Sequence, residues 1–152
     1  MCTFTLYKMN AIKTIRIISR GRQPYSPWEE VYINSKGNAK YTYIQYQAEG
    51  KKKVEKFKLS DEEMEKIDHA VEEHKFFTLS SFKLPYLDGD EVQMTVSKNG
   101  KTHKVILTNF RLAAFNKIVL KINQVLPKKY RLYFNALNTK LFHRWPLQFR
   151  WI

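Results

Sequence analysis

The side chains best suited to hold a metal ion are few, and their spacing keeps them apart. His69 and His74 are five residues apart in a predicted helix, whereas two metal ligands on one helix face are typically four apart. Asp88 and Asp90 flank a glycine but lack the further oxygen ligands of a calcium loop, notably a glutamate at its twelfth position. We therefore expect no metal and no other cofactor.

Nucleophilic catalysis finds no better support in these residues. Cys2 is the single cysteine and has no histidine near it in the sequence. The serines lie in no nucleophile-elbow motif, and the five glycines are scattered singly rather than grouped in a phosphate-binding loop. Residues 1–20 lack the uninterrupted apolar core of a signal peptide. We expect a cytoplasmic protein that is not an enzyme.

The segment from Gly21 to Trp28 is the best candidate for a partner-binding loop. Its two prolines restrict the backbone, which lowers the entropy lost on binding. It contains Arg22, Tyr25 and Trp28, and these residue types are enriched at the energetic centres of protein interfaces. The alternative is that Tyr25 and Trp28 fold back over the core or over an edge of the sheet.

Positive charge is the most unusual property of the chain. Lysine and arginine number 27 against 14 acidic residues, which gives a net charge of +13, and residues 101–152 contain no acid. Such an excess is typical either of an anionic partner or of a lysine-rich solvated surface. In the tail, residues 128–152, cations are interleaved with aromatic side chains. The candidate contacts to an anionic partner are Lys128, Lys129, Arg131, Lys140, Arg144 and Trp145.

Three interpretations of this tail remain open. The bases of a single-stranded nucleic acid stack on aromatic rings while cations contact its phosphates. A helix of the same composition lies on an anionic membrane surface. Alternatively, the tail docks on its own domain or has no fixed structure. A transmembrane helix is not expected, because no stretch approaches about 18 consecutive apolar residues.

A single α+β domain, residues 14–127, must position these candidates between an N-terminal extension (1–13) and the tail. Apolar alternation and the Gly and Pro turns predict the order β-β-β-β-α-β-β-α. This order indicates an antiparallel sheet of about six strands with two helices packed on one face. The predicted strands are 14–19, 30–34, 40–47, 53–59, 91–98 and 102–108.

Capping signals place the two helices. Ser60 and Glu63 have the spacing of a capping box, which predicts a helix that ends near His74. Asn109 is expected to cap the second helix, 110–126. Between the last two strands, Asn99-Gly100 predicts a two-residue type I′ turn, because both positions of that turn need a positive φ.

The middle of the chain, about residues 55–126, combines four segments that occur together in a known family. They are Leu59-Ser60-Asp61-Glu62-Glu63, Phe76-Phe77-Thr78-Leu79, Asp90-Glu91-Val92-Gln93-Met94-Thr95-Val96 and Lys101-Thr102-His103-Lys104-Val105. In these segments the chain resembles the emfourin family, small α+β proteins whose characterised member inhibits thermolysin-like metalloproteases. The resemblance implies a non-catalytic, inhibitor-like binding module. The glycine-rich segment after that family's first strand is replaced here by residues 22–28, so no inhibitory residue is carried over.

The sequence therefore favours a small non-catalytic module that binds another macromolecule. The first expectation is a protein partner that contacts the Gly21–Trp28 segment. The alternative is nucleic acid or an anionic membrane surface bound through the tail.

Overall fold

A computed structural model describes residues 11–21, 25–47, 50–84, 90–130 and 132. Most of the predicted N-terminal extension and of the tail lies outside these residues. Seven strands form one sheet in the order β4-β3-β2-β1-β6-β7-β5. The strands are β1 (Ile12–Gly21), β2 (Trp28–Asn34), β3 (Asn38–Ile44), β4 (Lys53–Lys58), β5 (Phe82–Lys83), β6 (Asp90–Lys98) and β7 (Lys101–Thr108).

Strict alternation of apolar side chains gives the sheet one buried face. In β1, Ile15 and Ile17 are about 1% exposed, and Ile15 pairs with Val96 of β6 while Ile17 pairs with Met94. Because paired residues in neighbouring strands point to the same side, these side chains form one continuous apolar layer. We call this side the core face and the opposite side the open face.

Both helices pack on the core face. Helix α1 (Asp61–Glu73) begins at Ser60, which forms the predicted capping box with Glu63. Helix α2 (Ala113–Val125) buries Phe115, Ile118, Val119 and Ile122. These side chains join the strand residues and Ile67, Val71 and Phe76 in one hydrophobic cluster. The predicted mixed α+β fold with two helices is confirmed.

The sheet has one strand more than the sequence predicts. Strand β5 has only two residues, Phe82 and Lys83, and it runs parallel to β7. All other pairs are antiparallel. Two residues are too few to show an alternating pattern, so the prediction of six antiparallel strands was wrong in this respect.

Asn109 does not cap α2, contrary to the prediction. Its φ is 53°, and its side-chain Oδ1 accepts a hydrogen bond from the backbone N–H of Asp90 at 3.1 Å. Leu112 is the N-cap residue and makes no side-chain capping bond. An asparagine tolerates the left-handed conformation, so here it closes the turn after β7 instead of starting a helix.

The buried core extends beyond the limits predicted for the domain. Ile12 is 2% exposed, Tyr130 6% and Leu132 1%, although the sequence places all three outside residues 14–127. Asn123 of α2 donates to the carbonyl of Leu132 and accepts from its N–H, both at 2.9 Å. The beginning of the tail is therefore packed on its own domain.

Candidate functional site

The open face of the sheet carries most of the polar character of the strands. No helix in the described part of the chain packs on this side, because α1 and α2 both belong to the core cluster. In the described strands, seven cationic residues and two acidic residues project from it, as the strand register shows. The cations are Arg16, Arg20, Lys40, Lys56, Lys58, Lys83 and Lys104, and the acids are Glu30 and Glu91.

Four of these cations lie in a single row across six strands. The register pairs Lys56 with Lys40, Lys40 with Tyr32, Tyr32 with Arg16, Arg16 with Thr95, and Thr95 with Lys104. We call these six residues the basic row. At a strand spacing of about 4.8 Å, the row extends over about 24 Å.

Ion pairs neutralise the two arginines but leave the lysines of this face without acidic partners. Arg16 contacts Glu30 at 2.9 Å and Arg20 contacts Glu91 at 2.8 Å. In the described residues, five lysines of this face are exposed and form no ion pair: Lys40, Lys56, Lys58, Lys83 and Lys104. The unneutralised positive charge of the face therefore belongs to these five lysines.

Glu91 holds the side chain of Arg20 in place at one end of the open face. Burial disfavours its charged form, but hydrogen bonds from Gln93 and Arg20 outweigh that effect and hold the pKa of Glu91 below its ordinary value. Arg20 reaches Oε1 of Glu91 through both Nε and Nη2, at 3.1 and 2.8 Å. Glu91 is therefore ionised at neutral pH and keeps Arg20 in a fixed position.

Two aromatic side chains lie on the same face, both in β2. Tyr32 stands in the basic row between Arg16 and Lys40, and Trp28 pairs with Arg20 and Ile44. Both are half-buried, and neither packs against another ring in the described residues. By contrast, Tyr41, Phe57 and Tyr130 form an aromatic cluster on the core face. The rings of Tyr32 and Trp28 are thus available from the open side.

The structure describes two of the three residues predicted to bind a protein partner. Trp28 is the first residue of β2 rather than part of a loop, and it is half-buried. Tyr25 is 69% exposed, so it does not cover the core. Arg22 lies outside the described residues. The two side chains therefore differ. Trp28 is partly covered on the sheet, whereas Tyr25 projects into solvent.

Only the first residues predicted for the anionic contact can be placed. Lys128 and Lys129 are exposed, and the ammonium of Lys129 lies 3.8 Å from Glu55 and 4.9 Å from the ring centre of Tyr130. Hydrogen bonding with Tyr130 lowers the pKa of Glu55, and Lys53 and Lys129 add to this effect. The other predicted contacts lie outside the described residues: Arg131, Lys140, Arg144 and Trp145.

The basic row escaped the sequence analysis because its members come from six strands and are far apart in the chain. The available signal was the alternation within each predicted strand. In β4, Lys56 lies between Glu55 and Phe57, so a strand that buries Phe57 must turn Lys56 outward. Aligning the rows also needs the register, which the sequence alone did not provide.

The described residues offer less support for a metal site or a membrane-spanning helix. No group of three histidine, cysteine, aspartate or glutamate side chains in the described residues could hold a metal ion. None of the described helices is long and apolar enough to cross a membrane. No protein-family model matches the chain, and no curated protein matches it either.

Proposed function

We propose that the protein is a non-catalytic binding module and that its open face holds an anionic macromolecule. The observation that carries the proposal is the basic row, in which three lysines without acidic partners and one arginine share a line across the sheet. A polyanion repeats its charges at regular intervals. An extended row of cations is therefore more complementary to a polyanion than to a small anion.

The fold accepts a repulsive contact at this site. Lys40 and Lys56 are directly opposite each other in neighbouring strands, and like charges in that position are destabilising. A bound phosphate or other anion between the two ammonium groups would turn the repulsion into attraction. The pair is therefore better explained by a ligand than by stability alone.

The proposal includes no catalytic step. Arg20, Gln93 and Thr108 donate hydrogen bonds to Glu91, but the polar side chains of the open face are otherwise spread over six strands, whereas an active site gathers acid, base and nucleophile around one reacting atom. Spread-out charge is suited to hold a long ligand.

A charge-removal series tests this function. Triple substitution of the row (Lys40→Gln, Lys56→Gln and Lys104→Gln) should weaken binding of heparin and of a fluorescent oligonucleotide at least tenfold at low salt. It should also reduce the slope of log K against log salt concentration, since each phosphate contact with a single strand contributes about 0.7 to that slope. The matched control removes three helix lysines (Lys66→Gln, Lys117→Gln and Lys121→Gln). Equal losses in both triples would contradict the proposal, because they would reflect net charge alone.

A protein partner is the second candidate, and the exposure of Tyr25 favours it. A tyrosine that is 69% exposed next to the rigid Pro27 and the half-buried Trp28 is typical of a side chain that anchors an interface. Following the emfourin resemblance, the wild-type protein would slow peptide cleavage by a thermolysin-like protease. The Tyr25→Ala variant would lose this effect and keep its stability. Unaltered cleavage in the presence of the wild type would rule the inhibitor function out.

A further inference from the structure

We propose that the anionic macromolecule is a single-stranded nucleic acid, with one base stacked on Tyr32 and its neighbouring phosphates held by Lys40 and Lys56. This inference rests on the proposed function and names its ligand. It starts from the position of one ring inside a line of cations, an arrangement that mere solubility would not require.

Tyr32 has cations on both sides in the register. Arg16 pairs with it from β1 and Lys40 pairs with it from β3. A nucleotide offers an apolar base face and an anionic phosphate a few ångströms apart, so a ring flanked by cations can contact both at once. A purely anionic polymer such as heparin has no such face, and the ring would contribute nothing to its binding.

The extent of the open face fits an extended strand. A row of about 24 Å offers contacts to several successive nucleotides, and sites of about 4–16 nucleotides are typical of other sheet-based single-strand binders. Trp28 lies four residues before Tyr32 on the same face, about 13 Å away along β2. It provides a second platform beside Arg20 for another base.

Duplexes and membranes suit this surface less well. The bases of a duplex are stacked inside it, and proteins read them by inserting a helix, a ribbon or an arm into a groove. A membrane surface binds an apolar face that penetrates between lipids. On the open face, Ile18, Ile44 and Ile106 are half-buried among polar neighbours, and Val54 is the one exposed aliphatic side chain in the described residues.

The test compares ligands and rings in the full-length protein. Fluorescence anisotropy measures the binding of a 12-nucleotide single strand and of the corresponding duplex. Co-sedimentation measures binding to vesicles of anionic lipid and of neutral lipid. We expect the single strand to bind more tightly than the duplex. Tyr32→Ala should weaken single-strand binding about tenfold, within the 5- to 150-fold loss that one stacked base implies.

The matched control is Tyr32→Phe, which keeps the ring and should retain binding within about twofold. A cooperative thermal unfolding transition of Tyr32→Ala separates a lost stacking contact from a misfolded variant. Equal binding of single strand and duplex, or an undiminished affinity of Tyr32→Ala, would overturn this inference while leaving polyanion binding intact. Vesicle binding without oligonucleotide or heparin binding would overturn both proposals. Failure of every polyanion to bind would instead overturn the proposed function itself.

Discussion

Under the proposed function, Lys56 and Lys40 would form a residue pair that serves binding at the expense of stability. They face each other across β3 and β4 without an acidic partner in the described residues. The neighbouring Lys58 is on the same face, but it pairs with Asn38. The two positions therefore differ in their cross-strand contact while they share a strand and a face.

This difference predicts that one substitution raises stability while it weakens binding. Lys56→Glu should raise the free energy of unfolding by roughly 0.2–1 kcal/mol, because it replaces a repulsive pair with an attractive one. The same change should weaken oligonucleotide binding. Lys58→Glu, the matched control, should weaken binding without raising stability. Chemical denaturation and anisotropy measure the two effects, and a Lys56→Glu variant that binds normally would exclude this position from the site.

A buried ion pair attaches α1 to the sheet. Lys98, at the end of β6, is 5% exposed and contacts Asp68 at 2.5 Å and Glu72 at 2.7 Å. Burial disfavours its charge, but the hydrogen bonds and charges of Asp68 and Glu72 outweigh burial and raise the pKa of Lys98. The pair therefore keeps its charge at neutral pH.

Removing one partner should be costly here. Asp68→Ala should lower the free energy of unfolding by about 2–4 kcal/mol, since it leaves a buried ammonium with one partner fewer. Glu65→Ala, at an exposed position of the same helix, should change it by less than about 0.5 kcal/mol.

The pH dependence of this effect follows from the raised pKa. The charged pair stabilises the folded protein below the ordinary lysine pKa of about 10.4, and this stabilisation is lost as the pH rises through the folded-state value. Urea unfolding should therefore show a constant difference between wild type and Asp68→Ala from about pH 6 to about pH 10 and a smaller one above about pH 10. A difference that is already absent at neutral pH would contradict this account.

At the scale of elements, two turns that contain glycine distinguish the cost of an unfavourable φ from the cost of a steric clash. Gly37 and Gly100 both have a positive φ, of 81° and 72°. A Cβ at Gly37 would lie 2.4 Å from the carbonyl oxygen of Leu59, whereas a Cβ at Gly100 would meet no atom within 4 Å. Both positions favour glycine, but only the first also needs the missing side chain.

Alanine at the two glycines should therefore differ in effect. Gly100→Ala should lower stability by about 1 kcal/mol, the amount expected for an unfavourable φ. Gly37→Ala should lower it by clearly more, because Leu59 and the start of α1 must also move. Thermal unfolding of the two variants measures this difference, and equal shifts would mean that the turn after β2 relaxes freely.

Elements with a strong local signal could be predicted from the sequence. The capping box at Ser60 and the turn at Asn99-Gly100 are confirmed, because each depends on contacts within a few residues. Strand β5 and the role of Asn109 could not be predicted. Both depend on contacts with residues far along the chain, and a two-residue strand has no periodicity.

At the scale of the whole molecule, the described chain beyond Pro127 belongs to the fold. Leu132→Ala should lower the free energy of unfolding by about 2–4 kcal/mol, because Leu132 is 1% exposed in the core. Leu120 of α2 is 46% exposed, so Leu120→Ala is the matched control and should change stability by less than about 0.5 kcal/mol. Equal, small effects in denaturant titrations would place Leu132 outside the core.

The candidate site was less predictable than the fold, and the reason is geometric. Hydrophobic alternation identified the side chains of the core face, but the basic row needs the register between Lys40, Tyr32 and Arg16. That register depends on turn lengths and on the order of strands in the sheet. The excess of positive charge was visible in the sequence, whereas its alignment on one face was not.

The central claim is that the open face is the binding surface, and NMR tests it most directly. An oligonucleotide is titrated into the isotopically labelled full-length protein at about 50 mM salt, where phosphate contacts are strong. The account predicts that amide shifts concentrate in β1, β2, β3 and β4 around Tyr32, Lys40 and Lys56. Shifts confined to α1, α2 and the residues around Tyr25, or no shifts at all, would contradict it.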